Sequence, residues 1–228
     1  MNYEYYYNRV PGEDPSRNNL IYTSLISEDQ KLFVQWYQND TEYHQGLNTV
    51  DYKTMLRKWD REMHFLHNMA HHYPDMVPKI VAVSVPERKI TLAIEGVDLW
   101  QLSMDRACSF DDILPDWQDQ MLAMFKAYRA HGWYKYSLHP SSYFIVNGKL
   151  KSINYFFTYS DNERPVTVRE HLSHISLERQ AKMKPLTDAM GIDWDQPQDL
   201  KTMQMLAFES FSDMYPREFI DRAKAIFV

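Results

Sequence analysis

The 228-residue chain holds only six glycines, at positions 12, 46, 96, 132, 148 and 191, and no two lie closer than sixteen residues. Average usage near about 7% would supply about 16. A loop that wraps a phosphate needs clustered glycines, because its backbone must approach the ligand closely and turn through conformations that other residues avoid. The spacing here excludes a G-x-G-x-x-G dinucleotide loop, a Walker phosphate loop and a G-x-S-x-G nucleophile elbow. Any phosphate chemistry would have to proceed without a glycine-rich cradle.

The charge of −6, from 25 basic and 31 acidic residues, argues against a nucleic-acid binder, which needs clustered Lys and Arg to neutralise phosphates. One cysteine, Cys108, leaves no internal disulfide and fits a reducing compartment. The first residues, Met1-Asn-Tyr-Glu-Tyr-Tyr-Tyr, lack the basic and apolar regions of a secretion signal. No uncharged run approaches the roughly 18 residues of a membrane span. A cytoplasmic protein is expected, with apolar content (44%) ample for a real core.

Hydrophobic periodicity then divides the chain. Aromatic and β-branched runs at 3–9, 20–27 and 31–37 predict strands, the last two joined by a turn at 28–30. The clearest helix spans 51–72, where Tyr52, Met55, Leu56, Trp59, Met63, Leu66 and Ala70 recur at three- and four-residue steps. Strands follow at 79–85 and 89–94, around the turn 86–88. Beyond a junction at 95–98 helices dominate, at 97–106, 115–131, 167–173, 176–190, 198–212 and 216–227. They are interrupted by strands at 143–146 and 150–157 that flank Asn147-Gly148, a strong two-residue hairpin signal. The pattern is α+β, with a sheet-rich part at 1–95 and a helical part at 96–228.

This order is that of protein kinases, and one stretch carries the resemblance further. His131-Gly-Trp-Tyr-Lys-Tyr-Ser-Leu-His-Pro140 and the hairpin Asn147-Gly-Lys-Leu-Lys151, followed by Ile153-Asn-Tyr-Phe156, resemble the catalytic-loop segment of the protein-kinase-like superfamily. The Leu138-His139-Pro140 triplet is most similar to aminoglycoside- and choline-kinase members. The resemblance covers roughly residues 20 to 157 and implies a two-lobed kinase-like fold, its small lobe at 1–95 and its helical lobe at 96–228, forming one domain.

What it implies about chemistry is loss. The catalytic aspartate position is Ser137, the metal-binding asparagine position is Ser142, and the D-F-G aspartate position is Asn154. Lys135 or Tyr136 takes the place of the catalytic-loop histidine. Ser137 is no carboxylate and has no base beside it in sequence, and uncharged Ser142 and Asn154 cannot hold a divalent ion against its hydration shell. Phosphoryl transfer rests on positioning and charge neutralisation, so losing these groups should remove it. In the first lobe, Gln35 is the best equivalent of the phosphate-pairing lysine, and Glu13 and Asp14 would repel a triphosphate. Glu62 matches the helix glutamate that such a lysine pairs with. Its partner is missing, so Glu62 is expected as a surface or hinge-side carboxylate.

Other constellations have plainer readings. Asp60, His64, His67 and His71 share one helix face and are metal-type side chains, but they read as a polar solvent face; His171 and His174 are a weaker version. Tyr3, Tyr5, Tyr6 and Tyr7 suit either an edge strand or a partner patch. Methionines at helical spacing, such as Met121 and Met124, read as core filling. Tyr155-Phe156-Phe157 would plug the phosphate site. The resulting expectation is a pseudokinase: a binding or regulatory module with a protein partner and no catalytic residue, cofactor, metal, nucleic acid or membrane. The alternative is a divergent kinase-like enzyme or small-molecule binder that redeploys Asp98, Glu62, His139 or Lys135 in an interlobe cleft.

Overall fold

The computed structural model describes residues 3–5, 22–27, 29, 31–37, 52–155, 157–169 and 177–228. Five strands of the first part form one antiparallel sheet: β1 (Tyr3–Tyr5), β2 (Tyr22–Ser27), β3 (Leu32–Tyr37), β4 (Lys79–Ser84) and β5 (Lys89–Ala93), in the order β1-β2-β3-β5-β4. The β2–β3 turn is tied by Ser27, whose Oγ donates to Asp29 Oδ1 at 2.6 Å and accepts from Leu32 N at 3.0 Å. That local bond closes the hairpin where the turn was expected. Beyond Tyr5, the remainder of the tyrosine run lies outside the described residues, as do the turn carrying Glu13 and Asp14 and the histidines at 171 and 174.

Helix α1 (Tyr52–His72) connects β3 to β4. Its described buried stripe is Lys58, Trp59, Glu62, Phe65, Leu66 and Met69, which joins Phe33, Ile90, Leu92 and Ile94 of the sheet side in one core. The predicted stripe is thus rotated. Met63 and Ala70 are only partly buried, while two charged residues face inward.

The second part opens on α2 (Leu99–Arg106), capped by Asp98 Oδ1 accepting from Gln101 N at 2.8 Å. A short α3 (Phe110–Ile113) starts in a Ser109–Asp112 capping box. Helix α4 (Trp117–Ala130) buries Trp117, Met121, Leu122, Met124, Phe125 and Tyr128, as its periodicity predicts. Strand β6 (Trp133–Lys135) precedes a 3-10 turn at Pro140–Ser142 and the hairpin β7 (Tyr143–Val146)/β8 (Lys149–Ser152). The hairpin turn places Asn147 and Gly148 at φ 51° and 73°, the left-handed pair a two-residue turn requires.

The expected strand at 150–157 is two elements. It breaks after Ser152 because Asn154 is left-handed (φ 62°), and the chain returns as β9 (Thr158–Ser160), paired antiparallel with β6. Thr167, expected in a helix, instead lies in β10 (Val166–Thr167), which pairs with β11 (Pro197–Gln198). Helices α5 (Leu177–Ala189), α6 (Leu200–Ser210) and α7 (Arg217–Lys224) complete the chain. The architecture is α+β. Among the described residues, no helix is long and apolar enough to cross a membrane.

Candidate functional site

The positions singled out in the sequence gather around β6. One edge of this strand pairs with β9, setting Lys135 opposite Thr158. The main chain of Lys135 is also held by Gln204 of α6, whose side-chain amide accepts from Lys135 N and donates to Lys135 O, both at 3.1 Å. An amide side chain here does the work of a strand. Directly opposed residues of an antiparallel pair share a face, so Lys135 and Thr158 project to the same side.

Helix α1 covers the adjoining 155–159 segment. The Phe65 ring lies 4.7 Å from the Tyr155 ring, the Arg61 guanidinium 4.2 Å over Tyr159, and Lys58 Nζ 5.2 Å over Phe157. Arg61 also pairs with Glu163. Glu62, one turn from Phe65 and Lys58, enters the interior among them.

Lys135 is 1% exposed. Its Nζ donates to Ser137 O at 2.7 Å and to Ser137 Oγ at 2.8 Å. Ser137 Oγ passes its own proton on to Asn154 O at 2.6 Å. Burial pushes the Lys135 amine down to about 7, opposed by the pull of the Glu62 carboxylate. Burial also drives Glu62 well above the usual carboxylate range, with Lys135 acting in the opposite direction.

Ser137 and Asn154 are therefore in direct contact. Ser142 is fully buried, its N donating to His139 O and its O accepting from Ile153 N, each at 2.8 Å, which fixes the residue before Asn154. Asn154 is 4% exposed, and its Oδ1 has no hydrogen-bond partner among the described residues. Gln35 lies in β3 with its backbone opposite Ile90. Glu62 corrects the expectation of a surface or hinge-side carboxylate: it is 0% exposed. The reason is that α1 turns its Lys58–Glu62 face inward, toward the interior that holds Lys135 of β6.

The remaining candidates for redeployment are engaged in local structure. Asp98 caps α2. His139 Nδ1 accepts from Ser141 N at 3.2 Å and lies 2.6 Å from Ser141 Oγ, with the ring edge-on to Trp100 at 5.4 Å. Asp60, His64, His67 and His71 are exposed, as expected of a solvent face. Among the described residues, no group of three His, Cys, Asp or Glu side chains could hold a metal ion.

Phe156 lies outside the described residues, and Tyr155 is fully buried. Its hydroxyl donates to Ser152 O, and Ser152 Oγ lies 2.7 Å from the Tyr128 hydroxyl. The central role of Lys135 is the feature that sequence reasoning underweighted. The signal was a lone lysine flanked by Trp133, Tyr134 and Tyr136, in a run with no other charge.

No family model matches the chain, and no curated protein matches it. Among solved structures it is similar to monomeric WbdD, at 10% identity and a TM-score of 0.45, over 91% of this chain and 48% of that one. The chain thus spans about half the length of that structure. At this identity and TM-score the similarity assigns no activity.

Proposed function

We propose that the chain is a two-lobed kinase-like protein without phosphoryl-transfer chemistry, which serves as a binding or regulatory module for a protein partner. One observation carries this reading. The groups standing where a kinase-like enzyme would present its base and metal ligands are interior and bonded to one another: Lys135 to Ser137, and Ser137 to the carbonyl of Asn154. A serine whose proton is committed to a backbone carbonyl, and whose lysine neighbour donates to it, accepts no proton from a substrate. Neither serine nor asparagine supplies the negative charge that would hold magnesium among phosphates.

The test is thermal unfolding with millimolar ATP and Mg²⁺ or Mn²⁺. A nucleotide present at 100 times its Kd would stabilise the fold by about 2.7 kcal/mol. For a chain of this size that is a Tm increase of roughly 5–10 °C. The expected result is no increase, and a nucleotide- and metal-dependent rise of that size would sink the reading.

A further inference from the structure

The Glu62–Lys135 pair carries an inference that does not depend on the kinase-like reading. Among the described residues, neither Glu62 oxygen has a hydrogen-bond partner, although the residue is wholly buried. The two side chains form no direct ion pair. A carboxylate stripped of water and given no donor is among the costliest arrangements in an interior, and attraction to an amine beyond contact distance does not offset it.

The amine is bonded in a complementary way. Lys135 Nζ donates twice, to Ser137 O and Ser137 Oγ. A free amine has two N–H donors and both are then used, whereas an ammonium has three. The Tyr143 and Tyr155 rings, 5.4 and 5.8 Å from Nζ, stand at the limit of cation–π reach and replace no hydrogen bond.

We propose that Glu62 is a carboxylic acid and Lys135 a free amine while α1 is docked, and that the two become glutamate and ammonium only when the helix opens to water. The exchange balances. The single proton held by Glu62 in the docked state is the one held by Lys135 in the open state, so near neutral pH the pair contributes no net proton uptake.

Docking is then favoured by burial of Phe65, Leu66 and Met69, and opening by hydration of two new charges. The neighbouring groups do not blur this assignment. On α1, Lys58 faces Phe157, and Arg61 faces Tyr159 and Glu163. From the other elements the titratable neighbours are Tyr143 of β7, Tyr155, and Tyr128 of α4. Burial holds the Tyr155 and Tyr128 hydroxyls protonated.

Nitrogen-15 NMR of the lysine side chains of the unmodified protein at pH 8 reads the charge directly. The expected result is one free-amine signal, assigned to Lys135 through its side-chain correlations; an ammonium signal for Lys135 overturns the proposal. Hydrogen exchange over α1 gives the second arm. Glu62→Gln, an isostere of the neutral acid, should leave α1 exchange within about threefold of wild type. Lys135→Arg, which cannot shed its charge, should speed it by at least about a hundredfold. Acceleration by Glu62→Gln of the size expected for Lys135→Arg would mean that the Glu62 charge is required, and would refute the neutral pair.

Discussion

Gly96→Ala offers a sharp test of how the two parts of the chain are joined. A Cβ at this position would lie 2.6 Å from the carbonyl oxygen of Ile145 and 3.7 Å from its carbon. An ordinary carbon–oxygen contact is about 3.3–3.6 Å, so close to 1 Å must be found. The obstacle is backbone in β7 and cannot rotate away. The neighbouring residues hold it there: Ile145 N donates to Val97 O at 3.5 Å, and Asp98 bridges Phe144. Asp98 also caps α2, so a displaced β7 would disturb the start of that helix. Overpacking of this kind costs about 1–3 kcal/mol. Alanine recovers about 0.4–1 kcal/mol by restricting the unfolded chain. With both contributions at mid-range the net loss is about 1.3 kcal/mol, which lowers Tm by roughly 3–5 °C for a chain of this length. Thermal unfolding followed by circular dichroism measures it, and hydrogen exchange at Val97 and Ile145 should rise with it. A Gly96→Ala protein as stable as wild type would refute the argument that the approach to Ile145 makes glycine necessary.

Two further outcomes follow from the buried and left-handed positions. Relative to a Glu62→Gln/Lys135→Met double variant, wild-type stability should stop falling above about pH 7, because the proton an unfolded Lys135 holds there is matched by the one the folded Glu62 acid keeps. The fall begins near pH 4.5, where an unfolded glutamate ionises while the folded Glu62 acid keeps its proton, and a difference curve flat from about pH 4.5 to 7 would contradict the assignment. Ala107, the C-cap of α2, sits at φ 49°, a conformation that costs an L-residue about 1–2 kcal/mol. Ala107→Gly should therefore raise the urea midpoint by an amount equivalent to about 0.5–1 kcal/mol at unchanged m, and a lowered midpoint would contradict this.

Much of the fold was legible where the signal is local. Asn147-Gly148 specifies its turn through two left-handed residues, and α4 declares its buried face because no charged residue enters it. The extent of α1 was legible too, but its orientation was not. Periodicity assigns charged residues to solvent, and here Lys58 and Glu62 belong to the buried stripe. What receives them lies far along the chain, the Phe157 ring for Lys58 and the interior around Lys135 for Glu62, a long-range fact with no local signature. The break at Asn154 was missed for a related reason. The run 150–157 has strand composition, but pairing of 158–160 with β6 overrides it. Of the five site positions, Ser137 and Asn154 are in contact and Ser142 is bonded to the residue before Asn154, whereas the environment of Glu62 required the tertiary structure.

The scarcity of glycine acquires a structural meaning from these positions. Among the described residues, Arg88, Glu95, Ala107, Asn147 and Asn154 adopt positive φ, conformations where glycine is the usual choice. Beside Gly132, Gly148 and Gly191, the chain thus forms reversals with residues that carry side chains, and asparagine is the least strained of those used. At Asn154 the consequence reaches the candidate site. The reversal turns its carbonyl to Ser137, Ser137 receives Lys135, and Lys135 is coupled electrostatically to Glu62 on α1. A glycine there would permit the same reversal but would also free the segment to move, as a loop that closes on ligands must. An interior built from committed hydrogen bonds resists such motion. Adaptability is thereby left to α1, whose docking depends on whether two buried groups remain uncharged.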